Sequence, residues 1–197
     1  PEIEKLYKNK YEQPNKNSKI IILILGGSLG AEALSYNISK SICFLPQHLK
    51  NNINIIHQVK REQIKNVIKL YKLNNIKAEV KSFIVNIDKF LKVANLIICR
   101  AGASTIAENL IAGVPAIYIP LNFSSNNHQY LNALNVTKNK SGWLIKENEI
   151  KSKGFIKLIH KILISPNILK KYSDNCKKVS IPKAAKRLSS IIVGIND

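Results

Sequence analysis

Two stretches of this chain could do chemistry, and the first contains a carboxylate. Glu108 follows a Gly- and Ser-containing turn at residues 100–104 and lies three residues after Thr105. That spacing fits a helix capping box, in which Thr105 is the N-cap and Glu108 accepts a hydrogen bond from its amide. A carboxylate in the first turn of a helix could also accept hydrogen bonds from sugar hydroxyls. One carboxylate could serve both purposes, and the spacing does not decide between them.

The second stretch is a glycine-rich turn, GGSLG at residues 26–30, between an apolar run and a helical pattern. A helix N-terminus after such a turn is a ready anion site, because backbone amides point outward and the helix dipole favours negative charge. The turn lacks the GxGxxG pattern of a dinucleotide site and the GK[ST] ending of a nucleotide P-loop. Considered alone, it is equally compatible with a plain strand-to-helix turn.

The elements around Glu108 predict where both stretches lie. The apolar run 96–99 reads as a buried strand, and residues 105–112 as a helix that Gly113 and Pro115 end. A second strand at 116–119 makes a strand–helix–strand unit, whose strands are parallel. Ligands of parallel sheets bind beyond the carboxyl ends of the strands. We therefore expect the site between residues 100–105 and 120–129, although Gln129 alone could be an ordinary exposed amide.

The remaining patterns predict an α/β fold, a Rossmann-like doubly wound parallel sheet of about six strands alternating with helices. Residues 1–18 carry no core pattern and are interpreted as a linker or a short exposed helix, with one domain over residues 19–197. Further strands are expected at 20–25, 54–59, 78–84 and 143–145, and helices at 61–73, 89–94, 148–164, 168–179 and from Pro182 to Ile192.

Composition argues against several classes of protein. No apolar run reaches the ~18 residues of a membrane span. The net charge is +19, but all except three of the 31 basic residues are lysine. Base readout and planar phosphate recognition favour arginine, so we expect no nucleic-acid partner. A surface this basic should instead be attracted to anionic lipid headgroups.

Cysteine and histidine patterns indicate no metal site and no disulfide framework. The three cysteines are widely spaced without a CxxC pair, and the four histidines form no HExxH motif. We therefore expect buried thiols and no cofactor.

Four motifs together resemble a known family. They are GGSLGA at 26–31, CRAGASTIAE at 99–108, AGVPAIYIP at 112–120 and HQYLNA at 128–133. The chain resembles, from Lys19 to about Ile192, the C-terminal half of the MurG family of peptidoglycan synthesis. These hexosyltransferases transfer N-acetylglucosamine from UDP-N-acetylglucosamine to a lipid-linked muramyl-pentapeptide. The resemblance implies one half of a GT-B glycosyltransferase, in which two Rossmann-like domains face each other across a cleft.

The resemblance also implies a UDP-N-acetylglucosamine site. Gly27 and Ser28 would lie near the diphosphate, and the backbone of Ile84 would hold the uracil. The helix N-terminus at Ala103, Ser104 and Thr105 would meet phosphate, Glu108 would bind the ribose hydroxyls, and Gln129 would read the hydroxyls of the sugar. Leu29 stands where the family usually has glutamine, and Asn127 where aspartate is frequent. No catalytic residue is assigned, because the family's proposed base lies in an N-terminal domain that nothing here matches.

Three hypotheses remain open at this point. The chain is a fragment or subunit of the lipid-linked glycosyltransferase, a non-catalytic UDP-sugar-binding module, or, on charge alone, a nucleic-acid-binding protein. Under the first, the lipid-linked acceptor is bound through an N-terminal domain or a partner chain. The expected location is then cytoplasmic, peripheral at the cytoplasmic face of the inner membrane.

Overall fold

A computed structural model of the chain describes residues 2–15, 18–26, 31–121 and 127–184, with only the backbone at 31–33. Gly27 and Ser28, and most of the closing helix expected from Pro182, lie outside these ranges.

The centre of the fold is a six-stranded parallel sheet in the order β3-β2-β1-β4-β5-β6. The strands are β1 Ile20–Leu25, β2 Ile53–Gln58, β3 Lys77–Lys81, β4 Leu96–Cys99, β5 Ala116–Tyr118 and β6 Gly142–Leu144. The order changes direction between β1 and β4, which makes that junction the switch point of a doubly wound sheet. The predicted fold class is confirmed.

Helices cover both faces of the sheet. They are α1 Glu2–Lys5, α2 Ala31–Cys43, α3 Gln47–Asn51, α4 Ile64–Leu73, α5 Ile87–Val93, α6 Ala103–Ala112, α7 His128–Lys138, α8 Lys153–Leu163 and α9 Pro166–Val179. Ile22 and Ile24 of β1 pack into the core on the side of α2, α4 and α8, and Leu23 packs into the core on the side of α5, α6 and α7. Burial on both faces explains the continuous apolar run of β1.

The segment before the sheet packs against the domain more closely than its sequence indicated. Leu6 is buried within the core on the side of α5, α6 and α7, which we call the second core. The Tyr11 hydroxyl donates to the carbonyl of Asn95 at 3.0 Å. The Lys177 ammonium donates to the carbonyls of Leu6 and Tyr7 at 2.7 and 2.9 Å. A single buried leucine has no periodicity, which is why the pattern did not reveal it. The boundary between residues 18 and 19 stays a prediction.

Among the helices that the structure describes, none combines the length and the apolar character needed to cross a bilayer.

Candidate functional site

All six strands end on one line. The registers pair Leu25 with Gln58 and with Cys99, Gln58 with Lys81, Cys99 with Tyr118, and Tyr118 with Leu144, and these are the last residues of their strands. Every segment that follows a strand therefore starts at the same edge of the sheet. The predicted site residues in the described ranges are all on or directly after such segments, so the fold brings them to one edge.

The N-terminus of α6 is the best-defined part of this edge. Gly102 is the N-cap, with φ −65° and ψ 144°, and its carbonyl accepts the first helical hydrogen bond from the Ile106 amide at 3.0 Å. The amides of Ala103, Ser104 and Thr105 precede that bond and have no acceptor within the helix. Ala103 and Ser104 are exposed. These amides lie at the switch point, where the sequence predicts one half of an anion site.

The predicted capping box is wrong. Gly102 is the N-cap and no side chain caps the helix, so Thr105 is the third helical residue and Glu108 the sixth. Glycine is an acceptable N-cap, and Ala103 and Ser104 adopt helical geometry after it. The helix consequently begins two residues earlier than predicted. Glu108 lies in the second turn, too far along the helix to close onto an N-cap amide.

Glu108 is a carboxylate without a protein partner in the described part of the chain. Its side chain is half-buried, and burial raises its pKa above the ordinary value with no opposing charge or hydrogen bond. A partly desolvated carboxylate is stabilised by any donor that reaches it. The arrangement is suited to accepting hydrogen bonds from the hydroxyls of a ligand.

Gln129 is not the ordinary exposed amide that the sequence left open. It is half-buried in the first turn of α7, and its Oε1 accepts a hydrogen bond from the Leu121 amide at 3.1 Å. The side-chain carbonyl is thus occupied, while the side-chain amino group remains as a donor. The backbone fixes this carboxamide at the carboxyl edge of β5.

Ile84 lies outside the strand in which it was predicted, because β3 ends at Lys81. Its side chain is 7% exposed and packs in the second core, whereas its neighbours Phe83 and Val85 are 69% and 64% exposed. The buried side chain anchors the main chain of this loop at the edge of the sheet. Ile84 follows β3, which is separated by β2 and β1 from the switch point between β1 and β4.

Sequence reasoning missed a buried ion pair at this edge. Arg100, directly after β4, is 8% exposed, and its Nη1 and Nη2 contact Oε2 and Oε1 of Glu147 at 2.9 and 3.1 Å. Nη1 also donates to the carbonyls of Ile119 and Pro120, each at 3.3 Å. One available indication was an arginine directly after a buried strand, in a chain that has three arginines.

Two asparagines hold α6 and α7, the helices that carry most of the predicted ligand-binding residues. Asn109 is 1% exposed, and its Nδ2 donates to the Tyr118 hydroxyl at 3.3 Å and contacts Cys99 Sγ at 3.6 Å. Asn132 Nδ2 donates to the carbonyl of Ala101 at 3.3 Å. Burial raises the pKa of the Cys99 thiol to about 12, so this cysteine stays protonated near neutral pH.

The described residues offer no obvious base and no metal centre. No group of three or more histidine, cysteine or acidic side chains within these ranges is arranged to hold a metal ion. His57 is fully buried in β2, and burial lowers its pKa to about 3. His128, at the start of α7, is exposed.

A large cavity of this structure lies away from the carboxyl edge of the sheet. A cavity of about 670 Å³ lies at the opposite, amino edge, between Ile20, Ile53 and Leu163. The described residues that line it include no charged side chain that could orient a polar ligand. The groups suited to binding a polar ligand lie at the carboxyl edge instead.

Comparison with known proteins decides the family. The Glycosyltransferase family 28 C-terminal domain matches residues 21–188. The chain belongs to this family. The resemblance read from the four sequence motifs is thereby confirmed.

Relatives within glycosyltransferase family 28 extend the match. The UDP-N-acetylglucosamine--N-acetylmuramyl-(pentapeptide) pyrophosphoryl-undecaprenol N-acetylglucosamine transferase of Zymomonas mobilis is 32% identical, over 92% of this chain and 47% of its own length. The transferase of the same name from Rickettsia africae is 37% identical, over 84% of this chain and 44% of its own length. The crystal structure of Acinetobacter baumannii MurG superposes with a TM-score of 0.82 at 27% identity, covering 93% of this chain and 54% of that one. The chain spans about half the length of the curated relatives it matches.

Proposed function

We propose that this domain binds UDP-N-acetylglucosamine as the donor-binding half of a hexosyltransferase. The complete enzyme would transfer N-acetylglucosamine to a lipid-linked muramyl-pentapeptide in peptidoglycan synthesis. The observation that carries the proposal is Glu108, a half-buried carboxylate without a partner in the described residues, beside the open N-terminus of α6. The relatives of this chain carry the name of that transferase.

The diphosphate is the part of the donor that the α6 N-terminus would hold. The free amides of Ala103, Ser104 and Thr105 and the dipole of α6 favour negative charge. In this proposal Gly27 and Ser28, which lie outside the described residues, would add donors from the segment between β1 and α2. Two helix N-termini then neutralise the diphosphate without a cation. They also stabilise UDP as it leaves, since the same donors face the developing charge.

The nucleoside and the sugar would be read by separate groups. Glu108 would accept from the ribose hydroxyls, which would supply the hydrogen bonds that its carboxylate lacks. The main chain of Ile84 would hold the uracil, a role that suits a residue whose own side chain is anchored in the core. The amino group of Gln129 would donate to hydroxyls of N-acetylglucosamine, because its carbonyl is already used by Leu121.

The acceptor side of the reaction would come from elsewhere. An attacking hydroxyl needs a base and an oriented acceptor, and in the described residues neither His57 nor His128 provides that combination. We assign acceptor binding and the base to an N-terminal half, in cis or as a separate chain. The many surface lysines would help to hold such an assembly at an anionic, cytoplasmic membrane face.

A second candidate function is a non-catalytic UDP-sugar-binding module. It is favoured by the described residues, in which candidate donor-binding groups lie at the carboxyl edge of the sheet while His57 is fully buried and no base is assigned. Donor binding is common to both functions, and sugar transfer separates them.

Calorimetry tests the shared part. We expect residues 1–197 to bind both UDP and UDP-N-acetylglucosamine, and a chelator should leave the dissociation constant of each ligand unchanged. ADP should bind more weakly than UDP. Loss of UDP binding on removal of divalent metal would contradict the metal-free site. Absence of UDP-sugar binding under all conditions would overturn the proposed function.

A further inference from the structure

We infer that Arg100 is a positioning residue for recognition of the donor sugar, and that it acts through Gln129. The inference rests on the proposed function, because it assigns a new residue to the sugar-reading part of that site. It is drawn from a continuous set of contacts between the end of β4 and the start of α7.

Several contacts hold the guanidinium of Arg100 in one orientation. Its Nη1 donates to two consecutive carbonyls, Ile119 and Pro120, and both terminal nitrogens contact the Glu147 carboxylate. A planar fork that donates in several fixed directions suits this arrangement, and a single ammonium does not reproduce it. The ends of β4, β5 and β6 are thereby tied together by one buried side chain.

One of those two carbonyls connects Arg100 to Gln129, the residue proposed to bind the sugar. Pro120 is followed by Leu121, whose amide donates to Gln129 Oε1 at 3.1 Å. The carbonyl that Arg100 holds and the amide that Gln129 accepts from belong to the same peptide group, between residues 120 and 121. That peptide group is planar, so fixing its oxygen also fixes the direction of its N–H. Arg100 therefore sets the orientation of the Gln129 carboxamide, including the amino group that would donate to the sugar under the proposed function.

Glu147 is the carboxylate partner of this guanidinium. This residue begins a short 3₁₀ turn at Glu147–Glu149 after β6, and its side chain is only partly exposed. Its two oxygens hold both terminal nitrogens of Arg100, which fixes the plane of the guanidinium. Loss of the carboxylate would remove the two contacts that fix this plane relative to the two carbonyls.

A positioning role and a purely structural role predict different binding data. If Arg100 acts through Gln129, Arg100→Lys should weaken the binding of UDP-N-acetylglucosamine about tenfold, within the range of measured coupling between contacting residues. Binding of UDP, which lacks the sugar, should change less than about twofold. A general loss of stability would weaken both ligands alike.

A double-mutant cycle makes the test specific. Calorimetry would give the ratio of UDP to UDP-N-acetylglucosamine dissociation constants for the wild type, Arg100→Lys, Gln129→Ala and the double variant. We expect Arg100→Lys to lower this ratio in the wild-type background and to leave it unchanged in the Gln129→Ala background. Glu149→Gln, in the same 3₁₀ turn but bonded to the Lys146 amide, is the matched control and should leave the ratio unchanged.

The outcomes separate the two claims. An equal weakening of both ligands, or the same fall in the ratio with and without Gln129, would overturn the positioning role while the proposed function stands. If Arg100→Lys does not fold, Glu147→Ala decides by the same criteria. A wild-type protein that binds no UDP-sugar would overturn the proposed function, and the positioning role with it.

Discussion

Glu108 is half-buried, so its ionised carboxylate is disfavoured, and no cation or hydrogen-bond donor among the described residues stabilises that charge. A sugar hydroxyl that donates to this carboxylate would relieve that penalty, so ligand binding and the ionisation of Glu108 should be linked. The folded-state pKa is raised, so protonation stabilises the free domain at low pH and that contribution is lost as pH rises through the raised pKa. Donor binding should show the opposite trend and weaken as the carboxylate becomes protonated.

Glu108→Gln tests this residue directly. We expect the binding of UDP-N-acetylglucosamine to weaken by ~1.5–3 kcal/mol, the scale of hydrogen bonds to a charged group. The melting temperature should change little, because Glu108 caps no helix end. Calorimetry and thermal melting measure the two quantities, with Asp174→Asn in α9 as an exposed carboxylate control. A lower melting temperature with unchanged affinity would show that Glu108 is structural.

His57 should make the stability of the domain depend on pH. Its Nδ1 contacts the Tyr71 hydroxyl at 3.0 Å, it is fully buried, and its pKa is lowered to about 3 by burial. The unfolded pKa is about 6.5, so between these values the unfolded chain binds a proton that the folded chain does not. The contribution is fully present above the unfolded value and is lost as pH falls towards the folded one.

The measurement is urea unfolding between pH 7 and pH 5. As the pH is lowered through about 6.5, the free energy of unfolding should decrease. The contribution of His57 to the slope should approach about 1.4 kcal/mol per pH unit, which corresponds to the uptake of one proton on unfolding. His57→Gln should flatten that slope, whatever it does to stability at pH 7. An unchanged slope in the variant would assign the effect to other groups.

At the scale of elements, the strands were predictable and the fine placement of the helix starts was not. Continuous apolar runs such as 20–25 and 96–99 indicated buried parallel strands, because a sheet covered on both faces needs them. The start of α6 was mispredicted, since Gly102 competes with Thr105 as N-cap and spacing cannot rank them. The Arg100–Glu147 pair joins residues 47 positions apart, and no local pattern reports such a contact.

Gly142 tests how tightly β6 closes the edge of the sheet. A Cβ at this position would lie 2.6 Å from the Ala116 carbonyl oxygen and 2.9 Å from Tyr118 Cε2. We expect Gly142→Ala to lower the free energy of unfolding by about 1–3 kcal/mol, as overpacking does in well-packed cores.

Gly154 in α8 provides the matched control. A Cβ there would approach only the Ser152 hydroxyl, at 3.3 Å, on an exposed part of the helix. Gly154→Ala should be neutral or stabilising by up to about 1 kcal/mol, because alanine is the better helix former. Equal stability of the two variants in urea unfolding would contradict the close packing of β6 on β5.

At the scale of the whole molecule, the chain has the fold and edge chemistry of one domain and about half the length of its relatives. The four motifs indicated the C-terminal domain of the family from the sequence, because all four occur in order. We assign no base within the described residues, because His57 is fully buried and His128 lies in the motif that we expect to face the donor sugar. Donor binding without transfer is therefore the expected behaviour of residues 1–197.

The most direct test is transfer of labelled N-acetylglucosamine from UDP-N-acetylglucosamine to a lipid-linked muramyl-peptide analogue, with release of UDP. The assay would use this chain alone, and then this chain with the N-terminal half of a family 28 transferase supplied in cis or as a separate protein. We expect donor binding in both cases and product only when the N-terminal half is present. Robust transfer by residues 1–197 alone would contradict the proposal of a donor-binding half, and would require a catalytic base within this domain.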